Sequence, residues 1–517
     1  MKAAETVAAM MAVREQATEQ KIFYFHDQFR NPWATVPVGA HRETWLVRSQ
    51  EMWLWIARAL RDRGIPPTQR LVKGIVEDFE MTALVDGPML PVFVRIGEGD
   101  GVVYLDLGNP AWESVAIAKD GWQVVAEPGV KFRRPLGLAA LPTPIKGGNC
   151  KEILRFLNVR SQHEILFLAW LTFCFRPRGP YPILAMSGPQ GSGKSTSTRA
   201  LQSLMDPNIA ALRGAPHDSR SLVMSASNSR LLCFDNMSEI KAEMSDMFCR
   251  IAVGGSHAER KYYTNDGSEQ MFTFQNPVVV NGIAELPERP DLLDRGLVVN
   301  LLTIAEKDRR SEEEFYADFE RARPRLLGAV LDAVVVGMAT VETVQLPGTP
   351  RMADFARWGV AVEKKLGYPP GSFLEAYRQN LGDATAAALE NSPIAWPIHH
   401  FIESLPGKEF RGTGQQLLRD LTAYVTLTGG HEAGQPLVLR HPRWPKSASA
   451  LSGEIARIEP NLAKLGLSVA RGRTKVRRFI ELRAAAAGGA ASRTGAGNTG
   501  VGQSEKIVTS KHNRKKE

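Results

Sequence analysis

The feature that most constrains the fold is a glycine-rich loop between an apolar run and a helix-like segment. Residues 188–195 read GPQGSGKS and fit the pattern G-x-x-x-x-G-K-[ST] without exception. The apolar run 181–186 precedes this loop, and residues 197–204 have the composition of a helix. A strand, a loop and a helix in this order turn backbone N–H groups toward phosphate oxygens. The sequence therefore predicts an α/β domain with a phosphate-binding loop.

The residues of this loop have separate expected roles toward ATP and Mg²⁺. Lys194 is expected to reach the β- and γ-phosphates, and the Ser195 hydroxyl is expected to bind Mg²⁺. Asp235 ends a second apolar strand, residues 230–234, and is the expected acidic group of the magnesium site. The predicted nucleotide-binding residues are Gly188, Pro189, Gln190, Gly191, Ser192, Gly193, Lys194, Ser195 and Thr196.

The residue after Asp235 is Asn236, where a hydrolytic enzyme of this type usually has a glutamate that polarises water. An asparagine cannot accept a proton as a carboxylate does. The sequence therefore predicts either slow hydrolysis or a general base elsewhere, and Glu239 is the nearest substitute.

A third apolar strand, residues 277–280, ends at Asn281, a candidate sensor of the γ-phosphate or the attacking water. Asn-Gly after a strand is also common turn chemistry. Arg295 follows as a candidate finger that stabilises phosphoryl charge across a subunit boundary. The alternative for Arg295 is a surface salt bridge with Asp291 or Asp294. The predicted catalytic residues are Lys194, Asp235, Asn236, Asn281 and Arg295.

The order of these motifs resembles the superfamily 3 helicases of the AAA+ class, and more closely the ATPase part of phage- and plasmid-type primase–helicase proteins. The resemblance covers residues 179–302 and includes GPQGSGKST, LLCFDN, GGSHAERKYYTNDGSEQMFTF and PVVVNGIAELPERPDLLDR. It implies a P-loop NTPase fold, a homo-oligomeric ring, and ATP-dependent movement along DNA. Asn236 departs from the acid that this family usually has there.

The resemblance also implies a hairpin that grips single-stranded DNA in the pore of the ring. Its basic residues here are Arg260 and Lys261, with arms at 261–264 and 269–274 and a turn at 265–267. The Asn-Asp-Gly sequence of that turn suits a hairpin. Arg351 is implied as a lid arginine that touches nucleotide, and the alternative is a surface residue at a helix start. Residues 1–145 carry no paired-carboxylate primase signature, so priming is not predicted.

The net charge of +9 is concentrated at the C-terminal end. Residues 1–390 carry 44 Lys and Arg against 46 Asp and Glu, whereas residues 391–517 carry 20 against 9. A basic module of this kind favours a polyanionic partner, either nucleic acid or a membrane surface.

Helical segments at 396–404, 413–426 and 447–465, followed by strands at 467–470 and 475–482, resemble a winged helix. We expect the basic residues of its wing, in and after a turn at 471–474, to contact duplex DNA. They are Arg471, Arg473, Lys475 and Arg477. A protein-binding winged helix is the alternative. Membrane binding is disfavoured because an internal core uses up the narrow apolar stripe of the third helix.

The predicted organisation has a β-rich N-terminal domain and a C-terminal winged helix on either side of a P-loop NTPase (AAA+-like) α/β core. Its segments are a polar lead (1–20), the mixed β-rich domain (21–145), the ATPase core (150–345), a helical lid or linker (346–390), the winged helix (391–483) and a disordered basic tail (484–517).

Several classes of protein are disfavoured by the sequence. The longest strongly apolar run, residues 165–175, is too short for a membrane span. Glu5, Arg14 and Glu15 argue against a signal peptide. The four cysteines show no CxxC or Cys/His pairing, so neither a disulfide framework nor a zinc site is predicted. A cytoplasmic protein is expected.

The sequence therefore predicts an ATP-dependent nucleic-acid motor in the replication of a phage, plasmid or other mobile element. The alternative is an ATP switch that does not unwind DNA, such as a helicase loader or a regulatory DNA-binding ATPase. Asn236 favours the switch, and the basic hairpin favours the motor. A small-molecule P-loop kinase is disfavoured because it needs no basic C-terminal module.

Overall fold

The computed structural model describes residues 3–484 except for 238–239, 241, 261–268, 283–289, 429–430, 433–434 and 474–477. The fold is mixed α/β, as the sequence predicts. The chain divides into two compact units, Met1–Pro393 and Ile394–Glu517.

The N-terminal part of the first unit combines helices with short antiparallel sheets. Its elements are α1 (Ala3–Glu19), β1 (Phe23–His26), β2 (Pro32–Val38), β3 (His41–Leu46), α2 (Gln50–Arg61), α3 (Gln69–Met81), β4 (Val92–Phe93), β5 (Ile96–Gly99), β6 (Val102–Asp106), β7 (Ser114–Ala118), β8 (Gly121–Val125) and β9 (Lys131–Phe132). Strands β1–β3 form one sheet, β5–β8 form another, and β4 pairs with β9. Ser49 caps α2 by accepting a hydrogen bond from the Met52 N–H.

The first residues form α1 instead of the predicted polar lead. Ala9, Val13 and Ala17 recur at four-residue spacing, are buried, and pack with the core of α2 and α3. Two of these three are alanines, so the apolar pattern is weak although the helix propensity is high. Residues 3–19 therefore belong to the folded N-terminal part.

The centre of the first unit is a parallel sheet with helices around it. Its elements are α4 (Ser161–Phe173), β10 (Ile183–Ser187), α5 (Lys194–Met205), α6 (Ser219–Asn228), β11 (Leu232–Phe234), α7 (Ala242–Val253), β12 (Gly255–Arg260), β13 (Glu269–Phe274), β14 (Val278–Asn281), α8 (Pro290–Leu293), β15 (Gly296–Asn300), α9 (Glu312–Thr340), α10 (Ala353–Glu363) and α11 (Ser372–Glu390). The sheet order is β11-β14-β10-β15, and every pairing is parallel. This arrangement suits the predicted α/β core, since parallel sheets have apolar strands that are covered on both faces.

One apolar core joins the β5–β8 sheet to helices α4, α9 and α10. The segment 142–148, which joins the predicted N-terminal domain to the predicted ATPase core, runs along α9, where the Ile145 N–H donates to the Pro324 carbonyl at 2.9 Å. The contact is so close that a Cβ on Gly328 would lie 1.8 Å from the Ile145 carbonyl oxygen. The N-terminal sheet and the parallel sheet therefore share a core and do not form separate domains.

The segment Glu312–Thr343, which includes α9, is long and apolar enough by length and composition to span a membrane, and its most apolar 18-residue window has a mean hydropathy of 1.7. Half of its most apolar window is buried in the protein. Helix α9 packs against β7, β8, α4 and α10. This core position accounts for its apolar composition.

The second unit consists of helices and a three-stranded antiparallel sheet. Its elements are α12 (Ala395–Ser404), β16 (Glu409–Gly412), α13 (Gly414–Thr428), β17 (His431–Glu432), β18 (Gln435–Pro436), α14 (Ala448–Lys464), β19 (Leu467–Arg473) and β20 (Arg478–Ala484). The sheet order is β16-β20-β19. The apolar stripe predicted on the third helix is buried in α14, where Leu451, Ile455, Ile458 and Leu462 face the core.

The turn of the C-terminal hairpin was predicted at 471–474, and this prediction is wrong. Strand β19 continues to Arg473, β20 begins at Arg478, and these two residues are paired. Gly472 sits opposite Phe479 in the ladder, and a Cβ on Gly472 would lie 2.3 Å from that ring. The glycine admits an aromatic ring inside a strand and does not make a turn. The predicted tail, from residue 485 onward, lies outside the described residues.

Candidate functional site

The glycine loop, residues 188–193, connects β10 to α5. Gly191 and Gly193 have φ angles of +78° and +76°, in the left-handed region that glycine adopts without strain. A Cβ on Gly188 would lie 2.7 Å from the Ser192 hydroxyl and 2.9 Å from the Leu301 carbonyl oxygen. The glycines therefore allow a tight loop that opens onto the N-terminus of α5.

Polar groups of the loop itself surround its interior. The Lys194 ammonium donates hydrogen bonds to the carbonyl oxygens of Gly188, at 2.7 Å, and Pro189, at 2.9 Å. Ser192 is fully buried, and its hydroxyl has no hydrogen-bond partner among the described residues. A buried hydroxyl without a partner is costly. An anion in the loop could accept a hydrogen bond from this hydroxyl. It could also replace the loop carbonyls as the hydrogen-bond acceptor of the Lys194 ammonium.

The Ser195 hydroxyl, in the first turn of α5, and the Asp235 carboxylate, directly after β11, lie close together beside this loop. The Ser195 Oγ donates to Asp235 Oδ1 at 2.9 Å, although the two residues are 40 positions apart in the chain. Mg²⁺ prefers oxygen ligands and is usually held by one or two carboxylates together with substrate phosphates. This donor set suits Mg²⁺ bound with a nucleotide. No cluster of three or more His, Cys, Asp or Glu side chains that could hold a metal occurs in the described part of the chain.

Asn281, the predicted sensor, is buried at the carboxyl end of β14, level with Met186 of β10. Its amide nitrogen donates to Thr198 Oγ1 on α5 at 2.7 Å. Its amide oxygen accepts the Asn236 backbone N–H at 3.0 Å. Asn281 therefore links the helix that follows the glycine loop to the backbone that follows Asp235.

The backbone at Asn236 has a φ of +54°, in the left-handed region. Asparagine is one of the few residues other than glycine that adopts this region readily. The next strand comes very close, since a Cβ on Gly282 would lie 2.7 Å from the Asn236 Cα. The local backbone thus supplies a conformational reason for an asparagine here. Glu239, the suggested substitute base, lies outside the described residues.

Arg295 lies at the end of the sheet away from the glycine loop. Its carbonyl oxygen accepts the Ile183 N–H at 2.9 Å, where β10 begins. Five strand residues, at about 3.3 Å each, separate this point from the loop. Arg351 binds Asp294 at 3.0 Å and so lies at the same far end. Neither arginine reaches the loop of its own chain, and the expectation that Arg351 touches that nucleotide is wrong.

The predicted hairpin is present as an antiparallel pair of β12 and β13 whose register ends at Arg260 and Glu269. Its first arm is Gly255–Arg260, which begins six residues and ends four residues before the predicted 261–264. Lys261, the predicted first arm and the turn at 265–267 lie outside the described residues.

In the second unit, Arg471 and Arg473 of the predicted basic residues lie on β19, an edge strand of the sheet. Arg471 binds Glu459 of α14 at 2.8 Å, and Arg473 is exposed. Lys475 and Arg477 fall outside the described residues. Sequence reasoning missed a second basic segment immediately before the N-terminus of α14, formed by Arg440, Arg443 and Lys446. The run RHPRWPK was its signal, because it directly precedes the helix cap Ser447.

Two family models match this chain in succession. Residues 150–386 match the actinomycete integrative conjugative element replication protein, and residues 394–497 match the RepA C-terminal domain of the same elements. The chain belongs to this RepA family of replication proteins. The first RepA match ends and the second begins near the boundary between the two compact units. They confirm the predicted role in replication of a mobile element and indicate an intracellular protein.

Solved structures of the NrS-1 C-terminal region are also similar to this RepA protein. One, an A-form apo structure, has 10% identity and a TM-score of 0.39, and the match covers 91% of this chain and 98% of that one. Another apo structure, of residues 305–718, has 10% identity and a TM-score of 0.37, with 92% and 99% covered. No curated protein matches the chain. Neither RepA model describes a helicase, so the resemblance to superfamily 3 remains a prediction.

Proposed function

We propose that this replication protein is an ATP-dependent DNA motor, a helicase-like or translocase-like ATPase of the P-loop class. The observation that carries the proposal is the hydrogen bond between Ser195 and Asp235 beside the glycine loop. It brings together the two residue types that hold Mg²⁺ in P-loop ATPases, one in the first turn of α5 and the other directly after β11. The buried, unpartnered Ser192 hydroxyl supports an anion in the same loop.

Mg²⁺–ATP supplies the phosphoryl group whose hydrolysis drives movement. The loop N–H groups and Lys194 are proposed to bind the phosphates, and Ser195 and Asp235 to orient the metal. Asn281 acts as a positioning residue, because its amide fixes the backbone of Asn236 relative to α5. A change at the phosphates is thereby transmitted to the strand end that carries Asp235.

The position of Arg295 supports a homo-oligomeric ring. Because this arginine is at the opposite end of the sheet from its own loop, a role in hydrolysis requires the loop of a neighbouring subunit. We propose that Arg295 stabilises phosphoryl charge there. Arg260, at the end of β12, and Lys261 are the proposed contacts to single-stranded DNA in the ring.

We further propose that the second unit is a winged helix that binds duplex DNA. Apart from the short pair β17 and β18 between α13 and α14, the elements follow in the order helix, strand, helix, helix, strand, strand, and β16 joins the sheet beside β20. Basic residues flank α14 on both sides, in the segment before it and in the strand pair after it. The proposed wing contacts to the DNA backbone are Arg471, Arg473, Lys475 and Arg477.

The test is DNA-stimulated ATP hydrolysis together with strand displacement on forked DNA by the full chain. Lys194→Ala and Ser195→Ala are expected to abolish both activities, since they remove the phosphate ligand and a metal ligand. Ser203→Ala is the matched control, because this serine lies on the same helix α5 and, within the described part of the chain, its hydroxyl binds only the Arg199 carbonyl. Hydrolysis that persists in Lys194→Ala would contradict the proposal.

Asn236 supports a second candidate, an ATP switch that binds DNA and does not unwind it. No carboxylate follows Asp235 directly, so proton removal from water lacks its usual acceptor at this position. The two candidates differ in one outcome. A protein that binds ATP yet displaces no strand at either polarity is a switch, whereas ATP-dependent displacement identifies the motor.

A further inference from the structure

The segment that follows β15 contacts the glycine loop. β15 ends beside Ser187, the last residue of β10, and the Leu301 N–H donates to the Ser187 carbonyl at 2.7 Å. Further along, Ile304 faces the loop, since a Cβ on Gly193 would lie 3.2 Å from Ile304 Cδ1. Residues 301–309 therefore run next to the loop for which we propose phosphate binding.

Arg309 brings its guanidinium to the glycine loop at Gly191. A Cβ on Gly191 would lie 3.7 Å from the Arg309 Nη2. Arg309 is exposed, and within the described residues its side chain makes neither a hydrogen bond nor an ion pair. Its guanidinium donors are therefore available for a ligand at the loop.

The residues that follow Arg309 are anchored to α9. Arg310 binds Asp318 of that helix at 3.3 Å. Ser311 caps α9 and exchanges hydrogen bonds of 3.2 Å with Glu314. These contacts hold the backbone next to Arg309 in place, so the position of its side chain is tied to the start of α9.

We propose that Arg309 is a phosphate ligand from the same chain that favours a nucleoside triphosphate over a diphosphate. The proposal rests on the nucleotide-binding function proposed above. Arginine presents a planar fork of N–H donors that matches phosphate oxygens. It adds a second cation to Lys194 at the loop, and a triphosphate carries more negative charge than a diphosphate. The triphosphate therefore gains more from Arg309.

This assignment also connects the triphosphate to the N-terminal sheet through helix α9. Arg309 precedes α9 by three residues, and α9 packs against β7 and β8. The Trp122 indole of β8 donates to Asp332 of α9 at 2.8 Å. A contact between Arg309 and phosphate thus acts at one end of a helix that supports the N-terminal sheet.

The experiment is calorimetric titration of the full chain, in the presence of Mg²⁺, with ADP and with a non-hydrolysable ATP analogue. Arg309→Ala is expected to weaken binding of the analogue about tenfold or more, as for loss of a charge-assisted hydrogen bond, and ADP binding much less. Arg309→Lys, which keeps the charge but not the fork, should fall between. Arg325→Ala is the matched control, because this exposed arginine lies further along α9, binds Glu152 at 2.9 Å and takes no part in holding Arg309, so both affinities should stay unchanged.

Two outcomes overturn the proposal. One is an Arg309→Ala protein that binds both nucleotides like wild type, and the other is an equal loss for both. A wild-type protein that binds neither nucleotide refutes the proposed function instead, so the two failures are distinguishable. Because Arg309 is exposed, its variants should fold like the wild type. Their thermal unfolding checks this.

Discussion

At the scale of single residues, Arg95 shows how the protein keeps a charge in its interior. Its side chain is fully buried, and its Nε donates to Asp206 Oδ1 at 3.0 Å, at the end of α5. Its other nitrogens donate to the backbone carbonyls of Asp106, Ala139 and Pro207. The second Asp206 oxygen accepts the N–H groups of Arg230 and Leu231 before β11. One ion pair thus fixes the N-terminal sheet, α5 and β11 together.

Asp206→Asn is expected to destabilise the protein strongly. The substitution keeps the shape of the side chain and leaves the buried Arg95 charge unpaired, which costs about 3–5 kcal/mol. Urea unfolding measures the loss. Glu342→Gln is the control, because it breaks the exposed pair with Lys119 and should change stability by about 1 kcal/mol or less. Equal effects of the two substitutions would contradict the prediction.

His163 is expected to make the stability of the first unit sensitive to acid. The residue is buried, and its Nδ1 accepts the Asn300 N–H at 3.0 Å. Burial lowers its pKa, and the nearby Arg160 charge adds to this, so the folded protein holds a neutral imidazole. The unfolded chain binds a proton near its ordinary pKa of about 6.5. The free energy of unfolding therefore falls as the pH drops below that value.

His163→Gln removes this titration while its amide oxygen still offers an acceptor to Asn300. Between about pH 7 and about pH 5.5, the variant should lose less stability than the wild type, by up to about 1.4 kcal/mol per pH unit. Urea unfolding at each pH measures the difference. Parallel curves for the two proteins would show that His163 is not the group responsible.

At the scale of elements, two helical glycines mark where helices come closest. A Cβ on Gly337 of α9 would lie 2.5 Å from the Trp358 ring of α10, and a Cβ on Gly359 of α10 would lie 2.2 Å from the Phe373 ring of α11. Each glycine makes room for an aromatic ring of the next helix. The three helices pack closely because these positions lack side chains.

Gly359→Ala is expected to destabilise the protein, although alanine is the better helix former. Overpacking of a filled core costs about 1–3 kcal/mol. Gly382→Ala on α11 is the matched control, because a Cβ there meets nothing within 4 Å. That substitution should stabilise the protein by about 0.5–1 kcal/mol. Thermal unfolding compares the two, and a stabilised Gly359→Ala protein would refute the packing argument.

Local sequence patterns were sufficient to predict the parallel strands and the helix after the glycine loop. Their apolar runs are continuous, and the loop motif fixes the direction of the chain. Features that depend on distant partners were missed. Gly472 resembles a turn residue until Phe479 is placed opposite it, and β16 becomes a strand only through its pairing with β20. The approach of Arg309 to Gly191 depends on the path of the chain after β15, which no local pattern reports.

At the scale of the whole molecule, the two compact units differ in net charge. Residues 391–483 carry 14 Lys and Arg against 7 Asp and Glu, whereas residues 1–390 carry 44 against 46. A chain that ends at Pro393 should keep its nucleotide affinity and lose most of its duplex affinity. The loss should be greatest at low salt and should shrink as the salt concentration rises, because salt weakens the contacts between basic residues and phosphates. Fluorescence anisotropy between about 50 and about 200 mM salt tests this, and unchanged DNA binding would reject it.

The proposed ring makes a different prediction for mixed subunits. Arg295→Ala subunits should still bind ATP, because Arg295 lies away from the loop of its own chain. Mixing them with Lys194→Ala subunits, which keep Arg295 but have an inactive loop, should restore part of the ATPase activity that neither variant has alone. Two variants that stay inactive when mixed would contradict a finger that acts between subunits.

The apolar core shared by the β5–β8 sheet and α9 limits how this protein can change in evolution. A recombination event near residue 145 would separate two halves of one core and expose the inner face of the N-terminal sheet. A junction near residue 393 cuts between two compact units, each with its own interior. Replication proteins of this kind should therefore exchange their C-terminal modules between mobile elements while they inherit the preceding part as a single block.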